Sequence, residues 1–326
     1  MKELPLKETP VLLDSQFALD VRDGLQATPK HLSSKYFYDK KGDKLFQQIM
    51  KLPEYYLTRV ELEIFQTKKE RLLDIINPDA PFRIVELGAG DGMKTRVLLK
   101  YFLQQHANFS YSPVDISANV LRDLERNMMQ DMPDLKMKPL AGDYFKVLSE
   151  LKFQNHVRNI AFFLGSNIGN FRNEIALTFL RSIHDNMSSG DILMIGFDLK
   201  KDPKTILSAY NDSQGVTKAF NLNLLERINA EFGADFDLDK FDHNPIYDPL
   251  TGECRSYLIS KEEMEVSLGD LDFSIRFKPW EPIFMEVSKK YDLTEINQLA
   301  ENSGFKVVEN LFDSGKVFTD SIWEVI

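Results

Sequence analysis

The feature that most constrains the fold of this chain is a short apolar run that leads directly into a glycine-rich turn. Residues 82–87 read Phe-Arg-Ile-Val-Glu-Leu, and Gly88-Ala89-Gly90-Asp91-Gly92 follows at once. An apolar run of this length predicts a buried strand, and the glycines allow a tight turn and the close approach of a ligand. We therefore predict a first strand, a glycine loop and a first helix that begins near Asp91.

Strand and helix patterns alternate beyond this loop. The predicted elements are a strand ending at Val114-Asp115, a helix over 117–129, a strand near 137–140, a strand over 159–164, a helix over 173–186 and a strand over 191–197. Such alternation indicates βαβ units around a parallel sheet. Right-handed crossovers place the helices on both faces of that sheet.

The alternation ends after Phe197, and this break predicts a second domain. Residues 202–232 have a helical pattern that stops at Gly233, and 245–288 read as β-hairpins. Strand and helix patterns like those of the α/β part then return, with a helix over 293–302 and strands over 305–312 and 321–326. The simplest architecture is a doubly wound α/β domain interrupted by an inserted α+β domain. The predicted limits are 62–200 with 289–326 for the α/β core, and 1–61 with 201–288 for the second domain.

Composition limits the function classes. Forty Lys and Arg against fifty Asp and Glu give a formal net charge of −10, which disfavours a broad nucleic-acid interface. Cys254 is the single cysteine, and the five histidines (His31, His106, His156, His184, His243) show no ligand spacing, so we predict no metal. No secretory signal or membrane-spanning run is visible. We expect a soluble cytoplasmic protein that acts on a small molecule without nucleic-acid or membrane partners, with a monomer favoured.

Two acidic residues follow the next strands of the predicted sheet. Asp115 ends the second strand and could accept both ribose hydroxyls of a nucleoside, and Asp143 follows the third and could accept from an adenine amino group. Taken alone, the glycine turn is compatible with a structural turn, Asp115 with a helix cap and Asp143 with a solvated loop. Together they lie at the carboxyl ends of successive strands, where open α/β sheets bind ligands. The combination resembles class I S-adenosylmethionine-dependent methyltransferases, whose final reversed strand matches the C-terminal segment.

Further segments resemble one family within that class, the histidine Nα-methyltransferases of ergothioneine biosynthesis. These segments are Tyr36–Gly42, Leu45–Ile49, Leu52–Arg59, Val85–Thr95, Phe163–Asn170, Ala209–Asp212, Gly215–Thr217, Phe220–Asn223 and Met285–Tyr291. The resemblance extends from about residue 25 to the end of the chain. It implies a class I methyltransferase sheet with an inserted α+β substrate-binding domain, S-adenosylmethionine as cofactor, and methylation of the α-amino group of L-histidine to trimethylhistidine.

The resemblance also implies roles for individual residues. The cofactor-binding residues are Tyr38, Gly88, Lys94, Asp115, Asp143 and Tyr144, with Tyr38 closing over the cofactor. The substrate carboxylate is held by Asn170 and Tyr210, and the imidazole faces Glu286 and Ser288, with Tyr56 supporting the pocket. The residues that face the reacting α-amino group are Tyr38 and Gly165. By their chemistry, an amide and a phenol suit a carboxylate, and a glutamate suits an imidazole N–H.

One departure from the family keeps other substrates open. The family has a methionine in its imidazole pocket where this chain has Ser256. Related enzymes methylate the α-nitrogen of a tryptophan derivative, so another amino acid or amine is an alternative substrate, and a non-catalytic S-adenosylmethionine-binding protein is a second alternative. A nucleic-acid amino-methyltransferase is disfavoured because Gly165–Asn170 lacks a D/N-P-P-Y/F motif. A nicotinamide-dependent oxidoreductase is disfavoured because the glycine spacing is G-x-G-x-G.

Overall fold

The computed structural model describes residues 15–76, 80–116, 118–142, 147 and 157–326. These residues pack into two compact units. The sheet unit consists of the described parts of 56–201 with 249–252 and 288–326. The insertion unit consists of the described part of 1–55 with 202–248 and 253–287. That the insertion unit binds the substrate stays a prediction at this point.

The sheet unit contains the predicted alternation of strands and helices. Its elements are α3 (Leu57–Ile76), β1 (Phe82–Leu87), α4 (Thr95–Gln104), β2 (Phe109–Asp115), α5 (Ala118–Asp131), β3 (Leu140–Ala141), β4 (Arg158–Phe163), α6 (Asn173–His184), β5 (Ile192–Asp198), α9 (Leu293–Asn302), β11 (Phe305–Phe312) and β12 (Phe318–Val325). Strands β4 and β5 are almost wholly buried and apolar, as parallel strands covered on both faces must be.

The large sheet has the strand order β11-β12-β5-β4-β1-β2-β3 among the described residues. Strands β1 to β5 run parallel, whereas β12 is antiparallel to β5 and β11 to β12. Because neighbouring strand residues point to opposite faces, Ile84 joins one apolar cluster with helices α3 to α5, and Val85 joins another with α6 and α9. The predicted α/β fold with helices on both faces and a reversed last strand is confirmed.

The structure differs from the predicted elements at three boundaries. Helix α4 begins at Thr95 because the positive φ angles of Gly90 and Gly92 prolong the turn. Strand β3 contains only Leu140 and Ala141, and Met137 forms an isolated bridge to Tyr111. Strand β12 begins earlier than predicted because residues 318–320 extend its pairing with β5.

The insertion unit combines helices with two small antiparallel sheets. Its elements are α1 (Gln16–Gln26), α2 (Lys40–Ile49), α7 (Pro203–Tyr210), α8 (Val216–Phe232), β6 (Phe241–Asp248), β7 (Glu253–Ser260), β8 (Met264–Leu268), β9 (Phe273–Phe277) and β10 (Pro282–Lys289), whose last two residues belong to the sheet unit. The described strands form a β10-β7-β6 sheet and a β8-β9 hairpin. Phe17, Phe37, Phe220 and Leu258 lie in one buried apolar core.

The predicted helical stretch over 202–232 consists of two helices. Helix α7 begins after Asp202, whose side chain accepts a hydrogen bond from the backbone N–H of Lys204, and α8 ends at Gly233 in the left-handed conformation. Between them, the Asp212 carboxylate accepts from the backbone N–H groups of Val216 at 2.9 Å and Thr217 at 2.7 Å. Within the described residues, no helix combines the length and the apolar character that a membrane crossing needs.

Candidate active site

The glycine loop between β1 and α4 is held in shape by its own backbone. Gly88, Gly90 and Gly92 have φ angles of 76°, 54° and 63°, which favour glycine. The Gly88 N–H donates to the carbonyl of Val114 at 2.8 Å, so the loop is tied to the end of β2. A Cβ atom on Gly92 would lie 2.5 Å from the Leu124 side chain, whereas one on Gly90 would have no atom within 4 Å. The loop is therefore packed on one side and open at Gly90.

Asp115 lies beside this loop, at the end of β2. Its Oδ2 accepts a hydrogen bond from the backbone N–H of Gly90 at 3.0 Å, and the side chain is half-buried. Two large apolar side chains are exposed nearby in sequence, Ile116 (61%) and Met93 (43%). An open glycine turn, a fixed acidic acceptor and exposed apolar side chains together fit a nucleoside, whose ribose donates hydrogen bonds and whose base is apolar on its faces.

Glu86, at the end of β1, is a buried residue whose side chain forms hydrogen bonds with α4 and β2. Its carboxylate accepts from Thr95 Oγ1 at 2.7 Å and from the Tyr111 hydroxyl at 2.5 Å, and only 3% of the residue is exposed. Burial raises the pKa of Glu86 to about 7, although both hydrogen bonds and the charge of Lys94 oppose that change. Glu86 thus joins the first turn of α4 and strand β2 at the base of the glycine loop.

The turn after β4 has an uncommon backbone. Gly165 and Ser166 both have left-handed conformations, with φ of 73° and 59°. The Gly165 N–H donates to Glu61 Oε1 at 2.6 Å, and the Ser166 hydroxyl accepts from the backbone N–H of Asp198 at 3.1 Å. A single 3-10 turn, Asn167–Asn170, follows and leaves Asn170 exposed. Other elements therefore fix the turn that carries two predicted site residues, Gly165 and Asn170.

Lys94 belongs to a buried cluster with two carboxyl groups. It forms an ion pair with Glu61, whose side chain is fully buried. Burial alone would lower the pKa of Lys94, but the charge of Glu61 and the hydrogen bond to it raise that pKa above its ordinary value. Asp320 is also fully buried; burial, together with the charge of Glu61, raises its pKa well above the usual range.

A second buried network is centred on Asp198, at the end of β5. Asp198 accepts from the Tyr56 hydroxyl at 2.9 Å and forms ion pairs with Lys201 and, at 2.9 Å, with Lys290. The Lys290 ammonium also donates to the Ser288 hydroxyl oxygen at 2.9 Å. Burial lowers the pKa of Lys201, against the effect of Asp198. One carboxylate thus connects two predicted substrate-site residues, Tyr56 and Ser288.

Three predicted residues lie in the insertion unit. Tyr38 is 39% exposed and makes edge contacts with Phe46 and Phe220, at centroid distances of 5.5 and 5.6 Å. Tyr210 is the last residue of α7 and is 9% exposed. Glu286 is half-buried in β10.

The remaining predictions divide into those that the structure describes and those that it does not. Ser256, the residue that departs from the family, is buried in β7 opposite Pro245. The predicted residues Asp143 and Tyr144 lie outside the described residues. Across the described ranges, no three His, Cys, Asp or Glu side chains are grouped to hold a metal ion.

Sequence reasoning missed Glu61, Asp198, Lys290 and Asp320. Each has an ionisable side chain, a type usually found at the surface, yet each is buried with less than 1% of its surface exposed. For Asp198 a signal was available, since it directly follows the apolar run 192–197 at the carboxyl end of a predicted strand. For Glu61 and Asp320 the local sequence holds no comparable signal, because their partners come from distant elements.

Comparison with known proteins finds a matching family model, similar sequences and similar solved structures. A family model described as histidine-specific, S-adenosylmethionine-dependent methyltransferase matches residues 17–325. The histidine N-alpha-methyltransferase of Mycolicibacterium smegmatis is 37% identical over 273 residues, 83% of this chain and 83% of that protein. The histidine N-alpha-methyltransferase of Mycobacterium tuberculosis is 36% identical over 272 residues, again 83% of each chain. Among solved structures, the CcbJ methyltransferase from Streptomyces caelestis is 15% identical with a TM-score of 0.45, covering 80% of this chain and 90% of that one.

Replacing Glu86 by Gln is expected to make stability less dependent on pH. Folded Glu86 keeps its proton up to a pKa of about 7, whereas an unfolded glutamate releases it near ~4.3. As the pH rises through this window, the free energy of unfolding of the wild type falls relative to that of Glu86→Gln, by on the order of 3 kcal/mol. Urea unfolding of both proteins at pH 5 and pH 8 measures the change.

Glu70→Gln is the matched control, since Glu70 is exposed on α3. The free energy of unfolding of this control should equal that of the wild type at both pH values. A difference between Glu86→Gln and the wild type that is the same at pH 5 and pH 8 would contradict the assigned pKa.

Proposed function

The chain belongs to the family of S-adenosylmethionine-dependent, histidine-specific methyltransferases, and we propose that it methylates the α-amino nitrogen of L-histidine. The observation that carries this proposal is the family match across nearly the whole chain. Three transfers to the same nitrogen would give trimethylhistidine, the betaine used in ergothioneine biosynthesis. The substrate is therefore a small molecule, and we further propose that a monomer carries out the reaction in the cytoplasm, where free histidine and the cofactor are present.

In this proposal the glycine loop and the strand ends hold the cofactor. Gly88 allows the close approach of the adenosyl group, Asp115 accepts from the ribose hydroxyls, and Lys94 offers an ammonium to the carboxylate of the methionine portion. Asp143 and Tyr144 complete the predicted set, with Tyr38 closing over the cofactor. When bound, the sulfonium of S-adenosylmethionine supplies an electrophilic methyl group.

The substrate carboxylate is assigned to Asn170 and Tyr210. The exposed amide of Asn170 and the phenol of Tyr210 are both neutral donors. Neutral donors bind a carboxylate without placing a formal charge next to the reacting nitrogen. The assignment therefore makes a free α-carboxylate a requirement for a good substrate.

The α-amino group must be neutral to attack the methyl carbon. We assign its orientation to the Gly165 carbonyl and the Tyr38 hydroxyl, which accept from amine N–H groups and direct the nitrogen lone pair. A bare carboxylate in this role would stabilise the ammonium form, whereas uncharged acceptors do not. Positioning of the lone pair against the methyl group then supplies much of the catalysis, and we assign no dedicated strong base.

The ring preference is assigned to Glu286 and Ser288. A carboxylate accepts from an imidazole N–H, and the Ser288 hydroxyl oxygen is fixed by its hydrogen bond from Lys290. A site that hydrogen-bonds a polar ring rejects an apolar one, because its buried polar groups are left unpaired. The second candidate is an N-methyltransferase for another amino acid or a tryptophan derivative, and Ser256 in place of the family methionine favours it.

Asp115→Ala is expected to weaken binding of S-adenosylmethionine at least tenfold. The change removes one or two charge-assisted hydrogen bonds, each worth roughly 1.5–3 kcal/mol. Calorimetry with the non-reactive product S-adenosylhomocysteine measures the loss. Asp123→Ala, on the exposed side of α5, is the control and should bind normally. Unchanged affinity in Asp115→Ala would count against the ribose assignment.

Histidinamide is expected to be a poor substrate for the wild type, because it lacks the carboxylate that Asn170 binds. In Asn170→Ala the ratio of kcat/KM for histidine to that for histidinamide should fall towards one. The change in this ratio separates carboxylate recognition from a general loss of activity. If the wild type methylates both compounds equally well, the carboxylate assignment is wrong.

Glu286→Ala is expected to lower kcat/KM for histidine at least tenfold, with a smaller effect on tryptophan. The reason is that, in this proposal, the carboxylate accepts from an imidazole N–H, whereas the larger indole carries its single N–H at a different position on the ring system. Product masses from both amino acids, with wild type and variant, give the comparison. A wild type that prefers tryptophan would retain the methyl-transfer chemistry and refute the histidine assignment.

A further inference from the structure

Glu61 is a buried carboxylate that contacts two proposed site residues at once. It lies on α3 and has no exposed surface. Oε1 accepts the backbone N–H of Gly165 at 2.6 Å, and Oε2 pairs with the Lys94 ammonium. The two ends of one carboxylate therefore reach the turn after β4 and the residue immediately before α4.

The surrounding backbone is shaped around this carboxylate. A Cβ atom on Gly196 of β5 would lie 2.5 Å from Glu61 Oε1 and 3.2 Å from the Gly165 nitrogen. A larger residue at position 196 would push the carboxylate away from Gly165. Glycine in the middle of a buried strand is otherwise unfavourable, and a close approach of this kind is a common reason for it.

Glu61 has a cationic partner in this cluster. It forms an ion pair with Lys94, and the nearby Asp320 is fully buried, with a pKa that burial and then the charge of Glu61 raise well above the usual range. A raised pKa favours the uncharged form of Asp320 over its carboxylate. Because Glu61 is paired with Lys94, it favours the ammonium form of a nearby amine less than a bare carboxylate would.

We propose that Glu61 is a positioning residue for methyl transfer, which fixes the Gly165 backbone for the amine and the Lys94 ammonium for the cofactor. Since Glu61 occupies the N–H of Gly165, the group that Gly165 presents to the amine is its carbonyl. This inference rests on the proposed function of Gly165 and Lys94. It adds to them a residue that touches neither substrate nor cofactor and acts through both contacts.

Two variants separate the two contacts. Glu61→Gln keeps an oxygen that can accept from Gly165 but loses the charge that pairs with Lys94. Glu61→Ala loses both. We expect Glu61→Gln to raise the Kd for S-adenosylhomocysteine about tenfold, with kcat at saturating substrates within threefold of the wild type. We expect Glu61→Ala to raise the Kd similarly and to lower kcat at least tenfold.

Glu70→Gln on the same helix is the control, with Kd, kcat and Tm expected to match the wild type. A purely structural role for Glu61 predicts losses of Kd and kcat that follow the fall in Tm in both variants, and that result overturns the proposal. Values of Kd and kcat within twofold of the wild type in Glu61→Ala overturn it as well.

A measurement on the wild type tests the contact between Glu61 and Gly165 even if neither variant folds. The hydrogen bond to Glu61 predicts a Gly165 amide proton that is shifted downfield and protected from exchange, and rapid exchange overturns the proposal. Failure of the proposed function is seen separately, as a wild type that binds the cofactor without methylating histidine. In that case the Kd values of the variants and the exchange of the Gly165 amide proton still test the role of Glu61.

Discussion

The arrangement of the sheet unit depends on the left-handed turn formed by Gly165 and Ser166. Glycine adopts this conformation readily, whereas for a serine it is costly unless the surroundings hold the backbone in place. Glu61 holds the first through its N–H, and the backbone of Asp198 holds the second through its hydroxyl. Each of these acids also pairs with lysine, so the turn connects the Lys94 cluster to the Asp198 network. Both clusters lie where the parallel strands end, the usual ligand position in such sheets.

Much of the fold could be predicted from sequence because its signals are local. The apolar runs that became β1, β4 and β5 and the glycines that follow β1 are visible without any tertiary information. Helix α9 was predicted at its observed limits, Leu293–Asn302, and it has a complete capping box with Asp292 and Glu295. Boundaries were less accurate where backbone geometry decides them, as at the start of α4.

The candidate site was predicted only in part, since spacing and family resemblance locate residues but not their partners. Asp115 lies beside the glycine loop, and its role in cofactor binding stays a prediction, as do the roles of Asn170, Tyr210 and Glu286. Glu61 could not be found because its partner Gly165 is 104 residues away in sequence. An isolated glutamate on a helix reads as a solvated residue, and only tertiary packing makes it a buried ion pair.

The hydrogen bonds within the glycine loop have a consequence for ligand selectivity. Gly88 and Ala89 donate their N–H groups to the Val114 carbonyl, Gly90 donates to Asp115, and Gly92 donates to Ala89. Loops that cradle phosphates do so by pointing such N–H groups at the anion. Here those donors are already satisfied and a carboxylate stands next to them. A phosphate group placed against this stretch would meet a carboxylate and four N–H groups that already donate elsewhere, so these four groups do not form a phosphate cradle.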